Sequence, residues 1–230
     1  MLNTLGIVQP RACSEGASAS LSRKLGGKSL LEWAVRQATD CQRLDRVVVA
    51  ALPGAEAEQI AQLVPSDVAV FVGSRPDRLA CFHEALQAHP AHGIVRIVAD
   101  NPYTDPVLID RLVRTADEHP TCDYISFCAR DGRPAILSSI GVFGEWCGAE
   151  ALRRAHRDAR STEDRAAVTR YMFSHPEKFS IRLISAPHEL QRDGVALTVN
   201  CEEDWERAQA MIDVFGADSL NWRRLAAYQD

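Results

Sequence analysis

The sequence predicts a three-layer α/β fold in which helices cover both faces of a mainly parallel β-sheet. Short runs rich in Val and Ile alternate with longer segments of helical periodicity through the first half of the 230-residue chain. Repeated βα units of this kind build a parallel sheet between two helical layers. The run Val47-Val48-Val49 is apolar without alternation, as strands buried on both faces are. Hydrophobic residues make up 46% of the chain and charged residues 25%, which is typical of a protein with a hydrophobic core.

The first half of the chain is predicted to alternate regularly between strands and helices. The first helix is indicated by Leu30, Ala34 and Ala38, which recur at helical spacing. Asp77 is expected near the start of the third helix, and Pro106 at the first position of the fourth. The predicted strands are residues 5–8, 46–51, 68–72, 93–98 and 124–128. The predicted helices are residues 29–39, 55–63, 77–88 and 106–118.

The second half of the chain has a less regular pattern. Strands are predicted at residues 135–143, 179–185 and 196–199. Helices are predicted at residues 149–160, 162–175 and 202–214. Because no internal repeat or linker interrupts the chain, we expect one domain over residues 1–230. The irregular pattern indicates an excursion at about residues 130–190.

Charge and cysteine content exclude several classes of protein. The formal net charge of -5 disfavours general nucleic-acid binding, which requires a basic surface. The N-terminus has no basic region followed by an apolar stretch, and no apolar run is long enough to span a membrane. The seven cysteines form no C-x-x-C pair. We therefore expect a soluble, cytoplasmic protein with reduced thiols.

Three polar segments are predicted to lie at one edge of the sheet, beyond the carboxyl ends of its strands. They are residues 9–27, 73–77 and 100–105. In an open α/β sheet, ligands bind in the crevice at this edge, so these segments are expected to form the functional site. The chain has neither the P-loop pattern nor the dinucleotide-binding glycine pattern.

The first polar segment is rich in groups that bind phosphate. Arg11, Ser14, Arg23 and Lys24 supply cations and a hydroxyl before the first predicted helix. Such groups, together with backbone amides at a helix start, hold phosphates. A solvated loop without a ligand is the alternative interpretation of the same composition.

A series of short motifs follows one another along nearly the whole chain. They are Gln9-x-Arg11 with Ser14, Leu25-Gly26-Gly27-Lys28, Val72-Gly73-Ser74 with Asp77, Val95-Arg96-Ile97-x-x-Asp100-x-Pro102-x-x-Asp105-Pro106, Glu145, Val168-Thr169, and Leu197-Thr198-Val199 with Glu203-Asp204. In this order they resemble the spore-coat polysaccharide cytidylyltransferases (SpsF-like), relatives of the CMP-sialate and CMP-KDO synthetases in the nucleotide-diphospho-sugar transferase superfamily. The motif around Asp100 is the most specific part of the resemblance.

The resemblance implies a Rossmann-like fold of the GT-A type, with a mixed, mainly parallel sheet. It implies an enzyme that transfers CMP from CTP to a sugar or other small acidic acceptor and releases pyrophosphate, in surface polysaccharide biosynthesis. A Mg²⁺ cofactor and a homodimer are implied as well, and the excursion at about residues 130–190 would serve sugar binding or dimerisation. Asp100 and Arg11 would be catalytic, Asp100 and Asn200 would hold the metal, and Glu145 would contact the substrate. The implied nucleotide-binding residues are Gln9, Arg11, Ser14, Arg23, Lys24, Gly73 and Ser74.

This chain departs from the family pattern at several positions that the chemistry uses. Asn200 replaces the closing metal-binding Asp, and the alternative interpretation of Asn200 is a helix N-cap three residues before Glu203. Asp100 has the alternative role of a turn former before Asn101-Pro102. Arg96, inside a predicted strand, has the alternative role of pairing with a carboxylate. The remaining departures are Gly16, Ser20, Cys81, Ala166 and Ala167.

Three functions therefore remain open at the level of sequence. The first is an active cytidylyltransferase. The second is a catalytically impaired homologue that binds a nucleotide or sugar, or that regulates a partner. The third is a glycosyltransferase that uses a nucleotide sugar, although no D-x-D motif stands in a suitable loop.

Overall fold

The computed structural model describes residues 3–10, 23–192, 194–216 and 222–224. Its strands are β1 (Thr4–Gln9), β2 (Lys24–Leu25), β3 (Lys28–Ser29), β4 (Arg46–Ala51), β5 (Ala69–Val72), β6 (Gly93–Val98), β7 (Tyr124–Cys128), β8 (Glu145–Gly148) and β9 (Ile181–Ser185). Its helices are α1 (Leu30–Thr39), α2 (Ala55–Leu63), α3 (Arg78–Ala88), α4 (Pro106–Glu118), α5 (Ala149–Asp158), α6 (Thr162–Ala166), α7 (Arg170–Phe173) and α8 (Glu202–Phe215). None of the helices in these residues has both the length and the hydropathy that a membrane span requires.

Seven strands form one mixed sheet in the order β5-β4-β1-β6-β8-β7-β9. β1 lies between β4 and β6 and is parallel to both. β8 is antiparallel to its two neighbours, β6 and β7, whereas β9 is parallel to β7. β2 and β3 form a separate two-stranded hairpin. The predicted fold, a mainly parallel mixed sheet flanked by helices, is confirmed.

Two hydrophobic clusters, one on each face of the sheet, make the three layers. Neighbouring residues of β1 point to opposite faces: Val8 packs in the cluster with α1, α2, α4 and α8, and Ile7 packs in the cluster with α3, α5 and α7. Both side chains are fully buried. Burial on both faces explains why the parallel strands have no alternation of polar and apolar residues.

The predicted strand at residues 135–143 is wrong. This segment forms a short 3-10 turn at Ala135–Leu137, and the strand of this region is β8, which begins only at Glu145. Pro134 precedes the turn and Gly141 adopts a φ of 71°, so the backbone cannot extend through the segment.

The single helix predicted over residues 162–175 is also wrong, because it is divided into α6 and α7. Val168 lies between them with a φ of 53°, a left-handed conformation that a β-branched residue adopts only when its surroundings enforce it. The predicted strand at residues 196–199 is replaced by an irregular segment. Its Leu197 and Val199 N–H groups donate to the carbonyls of Ser139 and Asp100, at 2.9 Å and 3.0 Å.

Candidate active site

The carboxyl ends of β1 and β4 open onto a crevice at one edge of the sheet. Gln9, Leu52, Arg78 and Cys81 are among the residues that line it. The edge is held together by backbone hydrogen bonds, since the N–H of Ala99 donates to the carbonyl of Gln9 at 3.0 Å. The crevice lies where the order of the strands predicts a ligand.

Arg96 connects β1 to β8 across this part of the sheet. Its Nε donates to Gln9 Oε1 at 2.6 Å, and its Nη1 donates to Glu145 Oε1 at 2.6 Å. Arg96 stands opposite Glu145 in the antiparallel register of β6 and β8. The pairing of Arg96 with a carboxylate, the role considered for it above, is thus observed.

Glu145 lies at the centre of a buried hydrogen-bond network and has no solvent-exposed area. Tyr124 donates its hydroxyl to Glu145 Oε2 at 2.5 Å, and Thr169 donates its hydroxyl to Oε1 at 2.6 Å. A buried carboxylate requires a counter-ion and hydrogen-bond donors to offset its desolvation, and Arg96, Tyr124 and Thr169 supply them. Burial, together with the Glu145 carboxylate, raises the pKa of Tyr124 well above its ordinary value, so the phenol keeps its proton.

The two predicted metal positions lie on neighbouring chain segments. The N–H of Val199, the residue before Asn200, donates to the carbonyl of Asp100 at 3.0 Å. Next to Asp100, the side-chain Oδ1 of buried Asn101 has no hydrogen-bond partner in the part of the chain that the structure describes. Oxygens of carboxylates and amides are donors that Mg²⁺ accepts, with phosphate oxygens completing its shell. Asp100, Asn101 and Asn200 therefore offer donor types that Mg²⁺ accepts, although the described residues contain no cluster of three or more His, Cys, Asp or Glu side chains that could hold a metal ion.

The N-cap of α8 is Cys201 and not Asn200, so the alternative role considered for Asn200 is corrected. Asp204 accepts the N–H groups of Asn200 at 2.9 Å and of Cys201 at 3.3 Å. The carboxylate that accepts backbone N–H groups at the start of α8 is thus Asp204, one residue after the predicted Glu203. Although partial burial raises the pKa of Asp204, the hydrogen bonds from Asn200 and Cys201 outweigh it and lower that pKa.

The first polar segment, residues 9–27, is described at residues 9–10 and 23–27. Arg11 and Ser14, like the departures Gly16 and Ser20, lie outside the described residues. Lys24 is exposed at the start of β2.

Arg23 contacts α8. Its guanidinium donates two hydrogen bonds to Glu202, at 2.5 Å and 2.9 Å, and lies 4.1 Å from the centroid of the Trp205 ring. The hydrogen bond to Glu202 raises the pKa of Arg23 and lowers the pKa of Glu202. The segment that leads into the β2–β3 hairpin is thereby attached to the helix that follows Asn200.

The second polar segment folds back against α3. Ser74 donates its N–H and its hydroxyl to Glu84, at 2.8 Å and 2.6 Å. A Cβ on Gly73 would lie 2.9 Å from Cys81 Sγ, so this close approach requires glycine. Burial raises the pKa of Cys81 to about 11, which keeps the thiol neutral.

Sequence reasoning missed three of these partners. The sequence pattern indicates only that Tyr124 lies in a strand, that Thr169 belongs to a motif and that Glu84 lies in a helix. The signal available for Thr169 was its position beside Val168 in a motif shared with the family, without any indication of what its hydroxyl contacts.

Comparison with protein families gives one model that covers most of the chain. The family described as cytidylyltransferase matches residues 5–214. Among curated proteins, the uncharacterized protein MJ1063 of Methanocaldococcus jannaschii is 29% identical over 230 residues, which cover 100% of this chain and 91% of that protein. The spore coat polysaccharide biosynthesis protein SpsF of Bacillus subtilis is 27% identical over 223 residues, covering 94% of this chain and 89% of SpsF.

Solved structures share the fold at low sequence identity. A cytidylyltransferase from Leptospira borgpetersenii superposes with a TM-score of 0.84 at 19% identity, covering 99% of this chain and 94% of that chain. A CMP:2-keto-3-deoxy-manno-octonic acid synthetase complexed with CTP superposes with a TM-score of 0.68 at 12% identity, covering 92% and 99% of the two chains.

Proposed function

Because this chain belongs to the cytidylyltransferase family, we propose that it transfers CMP from CTP to a sugar or other small acidic acceptor and releases pyrophosphate. The observation that carries the proposal is the backbone hydrogen bond between Val199 and Asp100, which supports it by joining the chain segments that contain Asp100 and Asn200. SpsF of Bacillus subtilis is named for spore coat polysaccharide biosynthesis, which supports a role in surface polysaccharide biosynthesis.

In the proposed reaction, an acceptor oxygen forms a bond to the α-phosphorus of CTP. The bond from that phosphorus to the oxygen bridging to the β-phosphate breaks, pyrophosphate leaves with the electron pair, and the acceptor releases its proton. Arg11 and Lys24 would neutralise phosphate charge, as charge-assisted hydrogen bonds do most strongly. Gln9, Ser14, Gly73 and Ser74 would position the nucleotide, and Arg23 would join them after leaving Glu202.

Asp100 would hold Mg²⁺ through its carboxylate, with the Asn200 amide as a neutral second ligand. When bound, Mg²⁺ neutralises charge on the phosphate oxygens. The Arg96–Glu145 pair would act on the substrate side by fixing the Gln9 amide at the end of β1. In this proposal Glu145 influences the substrate through Arg96, since its own carboxylate is buried.

The test is calorimetric binding of CTP, UTP, ATP and GTP to the purified protein, with and without Mg²⁺. We expect CTP to bind in the micromolar range, and more weakly without Mg²⁺, because the metal offsets phosphate charge. A second assay follows pyrophosphate release with candidate acceptors. If none of the four nucleotides binds, the proposed transfer is wrong. Light scattering tests the proposed homodimer.

A catalytically impaired nucleotide- or sugar-binding protein is the second candidate. Two observations favour it: Asn200 brings no charge to the metal position, and Arg23 is held by Glu202. Restoring the charged residues with Asn200→Asp and Ser20→Lys distinguishes the two functions. Mg²⁺-dependent turnover that appears only in the double variant supports an impaired site, whereas turnover in the unchanged protein supports the active enzyme.

A further inference from the structure

A group of arginines lines two adjoining pockets, which share Asp77, Arg160 and Arg165, between the start of α3 and the segment that joins α5 to α6. We call the two together the arginine pocket, and its members are Arg75, Arg78, Arg157, Arg160 and Arg165. Asp77 is the one carboxylate that lines the pocket along the described residues. In a chain whose formal net charge is -5, this concentration of positive charge is a local feature that the family motifs do not explain.

The part of the arginine pocket that holds Arg78 and Arg160 adjoins the crevice at the carboxyl ends of the strands. Leu52, directly after β4, and Arg78, at the start of α3, line both spaces. Arg75 lies in the adjoining part, which shares Arg160 with this one. The far wall, with Arg160 and Arg165, belongs to the excursion at residues 130–190.

The Asp77–Arg165 ion pair fixes the wall of the pocket. The Asp77 carboxylate accepts the N–H of Ala80 at 3.0 Å, which caps α3, and it pairs with Arg165. Arg165 also donates to the carbonyls of His156 and Ala159, both at 3.1 Å. These contacts join α3 to the end of α5, so Asp77 and Arg165 are engaged by the fold itself.

Arg75 and Arg160 are left to bind a ligand. Both are exposed, and neither forms an ion pair with any residue in the described parts of the chain. Glu84 lies near Arg75, but its two oxygens accept the N–H and hydroxyl of Ser74. Two guanidinium groups at one pocket offer planar sets of N–H donors that match the oxygens of a carboxylate or phosphate.

We infer that the arginine pocket binds an anionic group of the acceptor, a carboxylate or a phosphate, through Arg75 and Arg160. This inference rests on the proposed function, because it assumes that an acceptor enters the crevice beside CTP. The pocket suits the acceptor, since one of its walls comes from the excursion and not from the segments assigned to the nucleotide. The inference requires that the acceptor carry a negatively charged group.

The experiment uses ligand-observed NMR with two probes, inorganic phosphate and acetate, and the full-length protein saturated with CTP and Mg²⁺. We expect at least one probe to bind. The variant Arg75→Ala/Arg160→Ala should weaken this binding about tenfold or more, on the scale of charge-assisted hydrogen bonds. The variant Arg75→Lys/Arg160→Lys should keep part of it, because charge remains but the planar donor pairs are lost.

Arg114→Ala/Arg182→Ala is the matched control, because it removes the same charge from α4 and β9 and should leave probe binding unchanged. If neither probe binds, or the control weakens binding equally, the inference is overturned. Probe binding that disappears on saturation with CTP assigns the pocket to nucleotide phosphates, which also overturns it. Failure of the proposed function is recognised separately, as absent CTP binding, and the probes then still test the pocket in the nucleotide-free protein.

Discussion

At the scale of single residues, Glu145 shows how one carboxylate organises several elements. Its oxygens accept hydrogen bonds from Arg96 on β6, Tyr124 on β7 and Thr169 beside α7. Sequence reasoning could expect Arg96 to meet a carboxylate, because an arginine inside a strand needs a partner. It could not identify Glu145, because that pairing depends on the antiparallel register of β8, a strand predicted in the wrong place.

Replacing Thr169 with Val should destabilise the protein. The variant keeps the shape of the side chain but removes a hydroxyl that donates to the buried Glu145 carboxylate at 2.6 Å. Loss of a hydrogen bond to a charged group costs about 1.5–3 kcal/mol. Urea unfolding measures the change.

Thr169→Ser serves as the control, since it retains the donor and loses only a methyl group. We expect the unfolding free energy of Thr169→Ser to be much closer to that of the unchanged protein than the unfolding free energy of Thr169→Val is. Equal unfolding free energies for the two variants would show that the hydroxyl contributes nothing to the network.

At the scale of elements, the segment before β8 packs against the segment that leads to Asn200. Gly141, with a φ of 71°, stands against Thr198, and a Cβ there would be 2.5 Å from the Thr198 backbone nitrogen. Thr198 in turn belongs to the segment whose Val199 contacts Asp100. Gly141 therefore allows the close approach of the segment before β8 to the residues before Asn200.

Gly141→Ala should reduce both stability and nucleotide binding, because the added methyl group pushes the Thr198 segment away. The left-handed conformation costs roughly 1–2 kcal/mol for any L-residue, and overpacking adds roughly 1–3 kcal/mol. Unfolding by urea and calorimetric titration with CTP and Mg²⁺ measure the two effects.

Gly132→Ala isolates the steric part of this effect. Gly132 has a similar φ of 78°, but a Cβ there would have no neighbour within 4 Å. We expect this control to show only the conformational cost and to bind CTP as the unchanged protein does. A Gly141→Ala protein that matches it in both measurements would contradict the role given to the 141–198 contact.

The elements that could be predicted are those that apolar periodicity and local caps define. α4 starts at Pro106 with Asp105 as its N-cap, and its bounds agree with the prediction. The errors lie where tertiary contacts override local preference. Val168 adopts a left-handed conformation, and the hydroxyl of the next residue, Thr169, donates to Glu145. The N–H of Leu197 donates to the carbonyl of Ser139 in a loop, and not to a neighbouring strand.

At the scale of the whole molecule, a pair of stacked imidazoles couples stability to pH. His83 on α3 and His156 on α5 stack with ring centroids 4.3 Å apart. Burial lowers the pKa of each from its ordinary value of 6.5. Arg153 lowers the pKa of His83 further, and Glu84 opposes that shift. His83 and Arg165 lower the pKa of His156 further, and Asp77 opposes that shift.

The free energy of unfolding should fall as the pH drops below about 6.5. A depressed pKa means that the unfolded state binds protons at a higher pH than the folded state, so protonation favours unfolding. The contribution of the pair is present above pH 6.5 and lost as the pH falls through the folded pKa values. Thermal unfolding between pH 7.5 and about 5 measures it.

The variant His83→Gln/His156→Gln should show a flatter dependence over this interval than the unchanged protein. His188→Gln, which changes an exposed histidine elsewhere, is the control and should keep the original slope. An identical slope in all three proteins would show that the stacked pair does not titrate differently on folding.

The edge of the sheet that holds the site could be predicted from the order of strands and helices, but its internal contacts could not. The segments around Gly73 and Asp100 lie at the predicted edge. The hydrogen bond from Arg23 to Glu202, 179 residues later, depends on how α8 packs. The arginine pocket likewise combines Arg75 with Arg160, which only the folded chain brings to one cavity.

The position of β8 has a consequence for synthesis on the ribosome. β8 lies between β6 and β7 in space but follows both in the chain. Until residue 148 has left the exit tunnel, β6 and β7 each expose an unpaired edge, and such edges promote association with other chains. A nascent chain that pauses after residue 128 has left the tunnel, but before residue 148 has done so, would therefore present the unpaired edges of β6 and β7 to other chains.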